Sequence, residues 1–214
     1  MMLIWTCSKK AARDSGLTVN CLICEGNLAT PDEAARKRQI EENTKKLHAA
    51  ARLGAPVVRM NLGGVGQGEN SDTVGVDRVI AAFNEMLPVA RQLKIKITIE
   101  NHGGVSGSAD NILRIIQGTD RKWVGSCLDF GNWSNEVRYD SCAKLAPYAY
   151  HVHAKAHNFN ADGEESQFSF GRILDMLQEA KYRGAISIEW EGGGDPIEGV
   201  KRSRDLVRKY WTRL

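Results

Sequence analysis

Six times along the chain a short apolar, β-branched run gives way to polar or glycine residues and then to a stretch with helical periodicity. The runs are LTVNCLIC (17–24), PVVRMNL (56–62), KITIENH (96–102), VGSCLDF (124–130), YAYHVHAK (148–155) and AISIEWEG (185–192). Runs this continuously apolar predict strands buried on both faces, the habit of a parallel sheet. The segments between them carry helix punctuation. Thr30 before Pro31, with Glu33 three residues on, predicts an N-cap, a first-turn proline and a capping box. That helix runs through Ile40, Leu47 and Ala51 to a stop at Gly54. Val79, Phe83, Met86, Ala90 and Leu93 recur at helical spacing. Ser108 caps the next helix, and Asp195 before Pro196 caps the last.

Strand and helix alternate throughout, so the class is α/β. An open doubly wound sheet and a (β/α)8 barrel both satisfy the pattern. No strand-to-helix turn carries GxGxxG or GxxxxGK[ST], so nothing favours a nucleotide-binding sheet. The glycine-rich NLGGVGQG (61–68) fits neither spacing and predicts a flexible rim loop.

The chain has 214 residues, enough for one domain with a sizeable core or at most two small ones. Its formal charge of +3 is spread without a dense basic block, which argues against nucleic acid as a partner. The richest basic stretch, VKRSRDLVRKYWTRL, reads as the solvated face of a final helix. No apolar run reaches the roughly 20 residues of a membrane span, and MMLIWTC is too short for a secretory signal. Five cysteines suit thiols in a reducing cytoplasm, the expected location. Cys21 and Cys24 form one CxxC, but on a strand positions three apart face opposite ways. A structural role outweighs zinc there.

The strand ends carry the candidate chemistry. ITIE closes on Glu100, CLD on Asp129, HVHAK holds His153 near its end, and ISIE closes on Glu189. Singly, a carboxylate at a strand end is often a cap, and a lone histidine on a buried strand is more often packed than ligating. Together they are spaced by 29, 24 and 36 residues, against roughly 31 per unit in a (β/α)8 barrel. In parallel α/β folds the carboxyl ends of the strands share one face, where sites are built. Carboxylates gathered there would resist ionisation unless a cation offset them, and a divalent metal is the simplest solution. Three carboxylates and an imidazole favour Mn2+, with Mg2+, Co2+ or Zn2+ as alternatives. Three negative charges against two positive favour an electroneutral, hydroxyl-rich substrate.

ITIENHGG, CLDFGN, HVHAK and ISIEWEG, in this order, resemble the xylose isomerase-like superfamily of sugar isomerases and epimerases. The resemblance covers residue 17 to the C-terminus. It implies a TIM barrel with one divalent metal at its mouth, held by Glu100, Asp129, His153 and Glu189. It further implies that Glu100 and Glu189 flank the substrate carbon and move its proton. The expected activity is isomerisation or epimerisation of a sugar or polyol through an enediolate. Phosphodiester hydrolysis, as in the AP endonucleases of the same superfamily, ranks second. A metal-binding fragment without turnover is the third reading.

Around that set, Asn132 is a candidate for a substrate hydroxyl, with a turn role equally open. Arg59 could reach an anionic group or pair with a rim carboxylate. Lys155, His157 and His102 are further substrate-binding candidates. The family commonly has Asp after this lysine, where the chain has Ala156. His151, two residues before His153, is expected to pack in the core. Glu191 is expected at the rim, and Trp133 and Trp190 either wall the pocket or simply pack.

Six strand–helix units fall short of the eight of a closed barrel. Residues 1–16 are expected to hold at most a helix end, so the fold expected for 1–214 is a single, partial TIM barrel lacking its first two strands. Two open sheet edges then predict low stability, or rescue by a partner chain in a homo-oligomer.

Overall fold

In the computed structural model, residues 2–211 are described, with side chains from residue 8. Among them are helices α1 (Met2–Asp14), α2 (Glu33–Leu53), α3 (Val76–Leu93), α4 (Ala109–Gln117), α5 (Asn135–Leu145), α6 (Phe170–Glu179) and α7 (Pro196–Tyr210). The strands are β1 (Cys21–Cys24), β2 (Val57–Met60), β3 (Lys96–Glu100), β4 (Val124–Asp129), β5 (Ala149–Ala156) and β6 (Ile186–Trp190). Their order in the sheet is β1-β2-β3-β4-β5-β6, the sequential order that right-handed βα crossovers produce. The fold is of the (β/α) barrel type, with six of the eight strands of a closed barrel. By contact density the chain divides into two units, Met1–Gly125 and Ser126–Leu214.

In the first unit β1 pairs with β2 and β2 with β3, all parallel. Every residue of β2 and all but the first of β3 are buried. The periodic face of α3 supplies Val79, Phe83, Met86 and Ala90 to this core, all fully buried. Helix α1 spans 13 residues, a whole helix where a helix end was expected. The cap of α2 also differs from the expectation. Asp32, not Thr30, is the N-cap, its carboxylate accepting from the Ala35 amide at 2.9 Å. Thr30 instead takes the Asp32 amide. The helix thus starts two residues later, beyond Pro31. Gly54 ends it as expected, in the left-handed region at φ 85° that disfavours any side chain. The NLGGVGQG segment is a loop after β2, tied at three points. Leu62 O accepts from Leu28 N, Gly63 O from Val105 N, and Gly64 O from the Asn27 amide side chain. Gly104 must be glycine here, since a Cβ would lie 2.2 Å from Gly63 O.

In the second unit β5 pairs in parallel with β4 and β6. Ser108 and Asp195 are N-caps as the sequence predicts, the former in the first unit and the latter here. Phe130, Phe168 and Phe170 form an edge-on and stacked aromatic cluster, with the Arg138 guanidinium 4.1 Å from the Phe168 ring. Cys21 lies partly buried and Cys24 fully so, and neither is in a disulfide. Burial pushes the Cys24 thiol up to about 11, the behaviour of an inert core cysteine. Among the described residues no helix is long and apolar enough to cross a membrane.

Candidate metal centre

Strand alternation decides which side chains converge in the second unit. His151, His153 and Lys155 occupy one face of β5, because every second residue points the same way. Register places Asp129 of β4 opposite His153, and Glu189 of β6 opposite Lys155. Asp129, His153 and Glu189 each bring a ligand atom within 4.8 Å of the others. His153 turns Nδ1 to the carboxylates, 3.0 Å from Glu189 Oε2 and 3.9 Å from Asp129 Oδ2.

Asp129 divides its two oxygens between tasks. Oδ1 accepts from the amides of Gly131 and Asn132 at 2.7 and 2.9 Å, which fixes the turn leaving β4. Oδ2 faces His153 and Lys155. Asp129 is fully buried, and the Glu189 side chain is 29% exposed. Burial alone would raise the Glu189 carboxyl, but His153 and Lys155 outweigh it and hold it down to about 2. Burial likewise disfavours the Lys155 ammonium, yet Asp129 and Glu189 raise its pKa above the ordinary lysine value. Both groups are therefore charged at neutral pH, a carboxylate pair beside a cation.

These donors fit a divalent metal. Two carboxylate oxygens and one imidazole nitrogen face a common point from three adjacent strands. Glu189 Oε2 is buried and faces His153 Nδ1 at 3.0 Å. Carboxylates gathered around one imidazole nitrogen repel each other, and a coordinated cation would relieve that repulsion.

The neighbouring residues sort as follows. Asn132 Oδ1 accepts from Lys155 Nζ at 3.0 Å, while its Nδ2 is buried with no acceptor. Glu191 Oε1 lies 3.1 Å from Lys155 Nζ, at the rim as expected. His157 begins the loop after β5, and its Nε2 would lie 2.9 Å from a Cβ on Gly131. His151 is buried and its Nε2 is 2.9 Å from Ser187 Oγ, so it packs and is bonded within the core. Trp190 points away from Glu189 and stacks on Phe159 at 5.3 Å, and Trp133 is buried. Sequence reasoning passed over Glu165. Its buried carboxylate accepts from the amides of His157, Asn158 and Gln167, pinning the loop that carries His157. No motif marks it; only the loop geometry does.

In the first unit Glu100 closes β3 and is fully buried. Arg59 pairs with it and also with Glu25 Oε1 at 2.5 Å. Asn61 bonds the other oxygen of Glu25. Arg59 thus takes rim carboxylates, one of its two expected roles. Glu25 was overlooked, though the acid-at-strand-end rule would have found it just after CLIC. His102 is exposed on the loop after β3.

Comparison with known proteins bears on this arrangement. An uncharacterised protein of Methanocaldococcus jannaschii, MJ1311, is 25% identical over 207 residues, covering 91% of this chain and 69% of that protein. The crystal structure of a D-tagatose 3-epimerase-like protein superposes with a TM-score of 0.80 at 21% identity, covering 96% of this chain and 81% of that one. The IOLI protein, crystallised with a zinc atom bound, gives a TM-score of 0.74 at 16% identity, covering 96% and 83%. These structural likenesses establish the barrel-type fold. A model of one family, described as xylose isomerase-like TIM barrel, matches residues 8–210. That match spans all six strands and every candidate site residue, and the chain belongs to the xylose isomerase-like TIM barrel family.

Proposed function

We propose that this chain is a divalent-metal-dependent isomerase or epimerase of a sugar or polyol. The observation that carries the reading is the meeting of Asp129, His153 and Glu189 at adjacent strand tips, with Nδ1 turned to the carboxylates. Glu100 is the proposed fourth ligand. It closes β3 as Asp129 closes β4, each the last residue of its strand. The resemblance of the four strand-end motifs to the superfamily, and the likeness to an epimerase-like structure, support the same reading. The donor set favours Mn2+ over a thiolate-type zinc site. An ion held there would polarise a substrate carbonyl.

The chain's own groups supply the rest. Glu189 is the proposed base that takes a proton from the carbon next to a carbonyl. Glu100 is the proposed partner that returns the proton, through an enediolate. The Asn132 amide nitrogen, buried without an acceptor, is a ready donor to a substrate hydroxyl. Lys155, His157, Arg59 and His102 are the further proposed contacts to substrate oxygens.

Metal analysis and a panel of ketoses and inososes assayed with Mn2+ test the reading. One ion per chain with turnover of a sugar is expected. E189Q should keep a weakened ion and lose activity by about 10²–10⁴-fold, the range for removing a proton-transfer group. Three zinc ions per chain with phosphodiester cleavage would replace this reading by the nuclease alternative. An ion bound without turnover of any sugar would leave only a metal-binding protein.

A further inference from the structure

Lys155 is the least expected residue of the centre. Its side chain is 1% exposed, yet its ammonium touches four polar groups. Nζ lies 3.5 Å from Asp129 Oδ2, 3.1 Å from Glu189 Oε1, 3.1 Å from Glu191 Oε1 and 3.0 Å from Asn132 Oδ1. Its stem runs against Gly131, where a Cβ would come within 2.7 and 2.8 Å of Cδ and Cγ. The absence of a side chain at 131 therefore makes the channel that seats the lysine. Two of its four partners, Asp129 and Glu189, are also proposed metal ligands.

A buried ammonium is retained only where anions compensate it, and a buried carboxylate adjoining a second, partly exposed one needs a cation in turn. We infer that Lys155 is a built-in counter-cation. It holds Asp129 and Glu189 in place when the centre carries no metal, and a divalent ion binds there against its charge. This inference rests on the metal reading above. Its consequences are particular to this residue. The chain keeps its fold without metal, and its affinity for a divalent ion is set lower than the carboxylates alone would give. Asn132 and Glu191 are the partners left to the ammonium once an ion takes the shared carboxylates.

Mn2+ alone, titrated into the full chain by calorimetry at fixed pH, tests this, alongside urea unfolding with EDTA or with Mn2+. Wild type is compared with Lys155→Met, Lys155→Gln and the charge-keeping Lys155→Arg. Removing a like charge a few ångströms from an ion should tighten Mn2+ binding by about tenfold or more. The two neutral variants should also lose urea resistance in EDTA and regain it with Mn2+, while Lys155→Arg stays near wild type. A merely structural lysine would give weaker, not tighter, binding when removed. Should Lys155→Met not fold, Lys155→Gln carries the comparison. Wild type that binds Mn2+ with neutral variants that bind equally or less tightly overturns the inference and leaves the metal reading intact. Neutral variants that bind where wild type does not would support it. If no form binds Mn2+, the metal reading falls and this inference falls with it.

Discussion

Acid should weaken this fold through Glu189 in a way that can be isolated. The carboxyl is held down to about 2 by His153 and Lys155, against an ordinary value near 4.5. A group with a lowered folded pKa stabilises the fold above its unfolded pKa. That stability is lost as pH falls through the folded value. The window is therefore about pH 5 down to about pH 2. At about 1.4 kcal/mol per pH unit the full linkage would be roughly 3 kcal/mol. The Glu189 side chain is 29% exposed, so solvent screening reduces this to about 1–2 kcal/mol. The assay is urea unfolding in EDTA at steps across that window, for wild type and E189Q. E189Q strands His153 and Lys155, so absolute stabilities will differ; the comparison is of slopes. Wild type should lose about 1–2 kcal/mol more than E189Q over the window. Parallel decline of the two proteins would refute the claim that Glu189 is ionised by its neighbours in the fold.

Other outcomes follow from single contacts. Glu165→Ala removes the acceptor of three loop amides and should cost about 2–3 kcal/mol in chemical denaturation, with faster amide exchange at residues 157–167. Glu165→Gln keeps a carbonyl acceptor and should lose less. Asp32→Ala should cost about 1 kcal/mol in urea unfolding, as the loss of an N-cap does, and Thr30→Ala clearly less; the reverse order would restore the capping box read from TPDE.

The strand tips were the legible part of the site. Alternation on β5 and the one-ligand-per-unit spacing place Asp129, His153 and Glu189 on one side of the sheet before any coordinates are known, because a parallel strand has only two faces and one carboxyl end. Element types were legible for a similar reason: buried strands and amphipathic helices write their periods into composition. The start of α2 was not. Thr30, Asp32 and the intervening Pro31 offer two overlapping cap patterns, and the choice between them depends on which oxygen reaches an amide three residues on. Glu165 was illegible because its partners are main-chain amides, which leave no trace in residue identity.

Lys155 belongs to neither class. Its place on the ligand face follows from the same alternation that selects His153, so its position was readable. Its partners were not, because they depend on register between β5 and β6 and on the side chain that Gly131 lacks. A lysine at a strand tip is ordinarily expected to reach toward solvent, since its long stem lets the charge do so. Here the stem runs against Gly131 and the charge is turned inward onto carboxylates. That inversion changes how the acidic residues must be understood. The two carboxylates of the second unit are not a bare pair waiting for an ion: Lys155 offsets one of their two negative charges within the chain. An ion entering that cluster takes partners from the lysine as well as meeting the charge that remains.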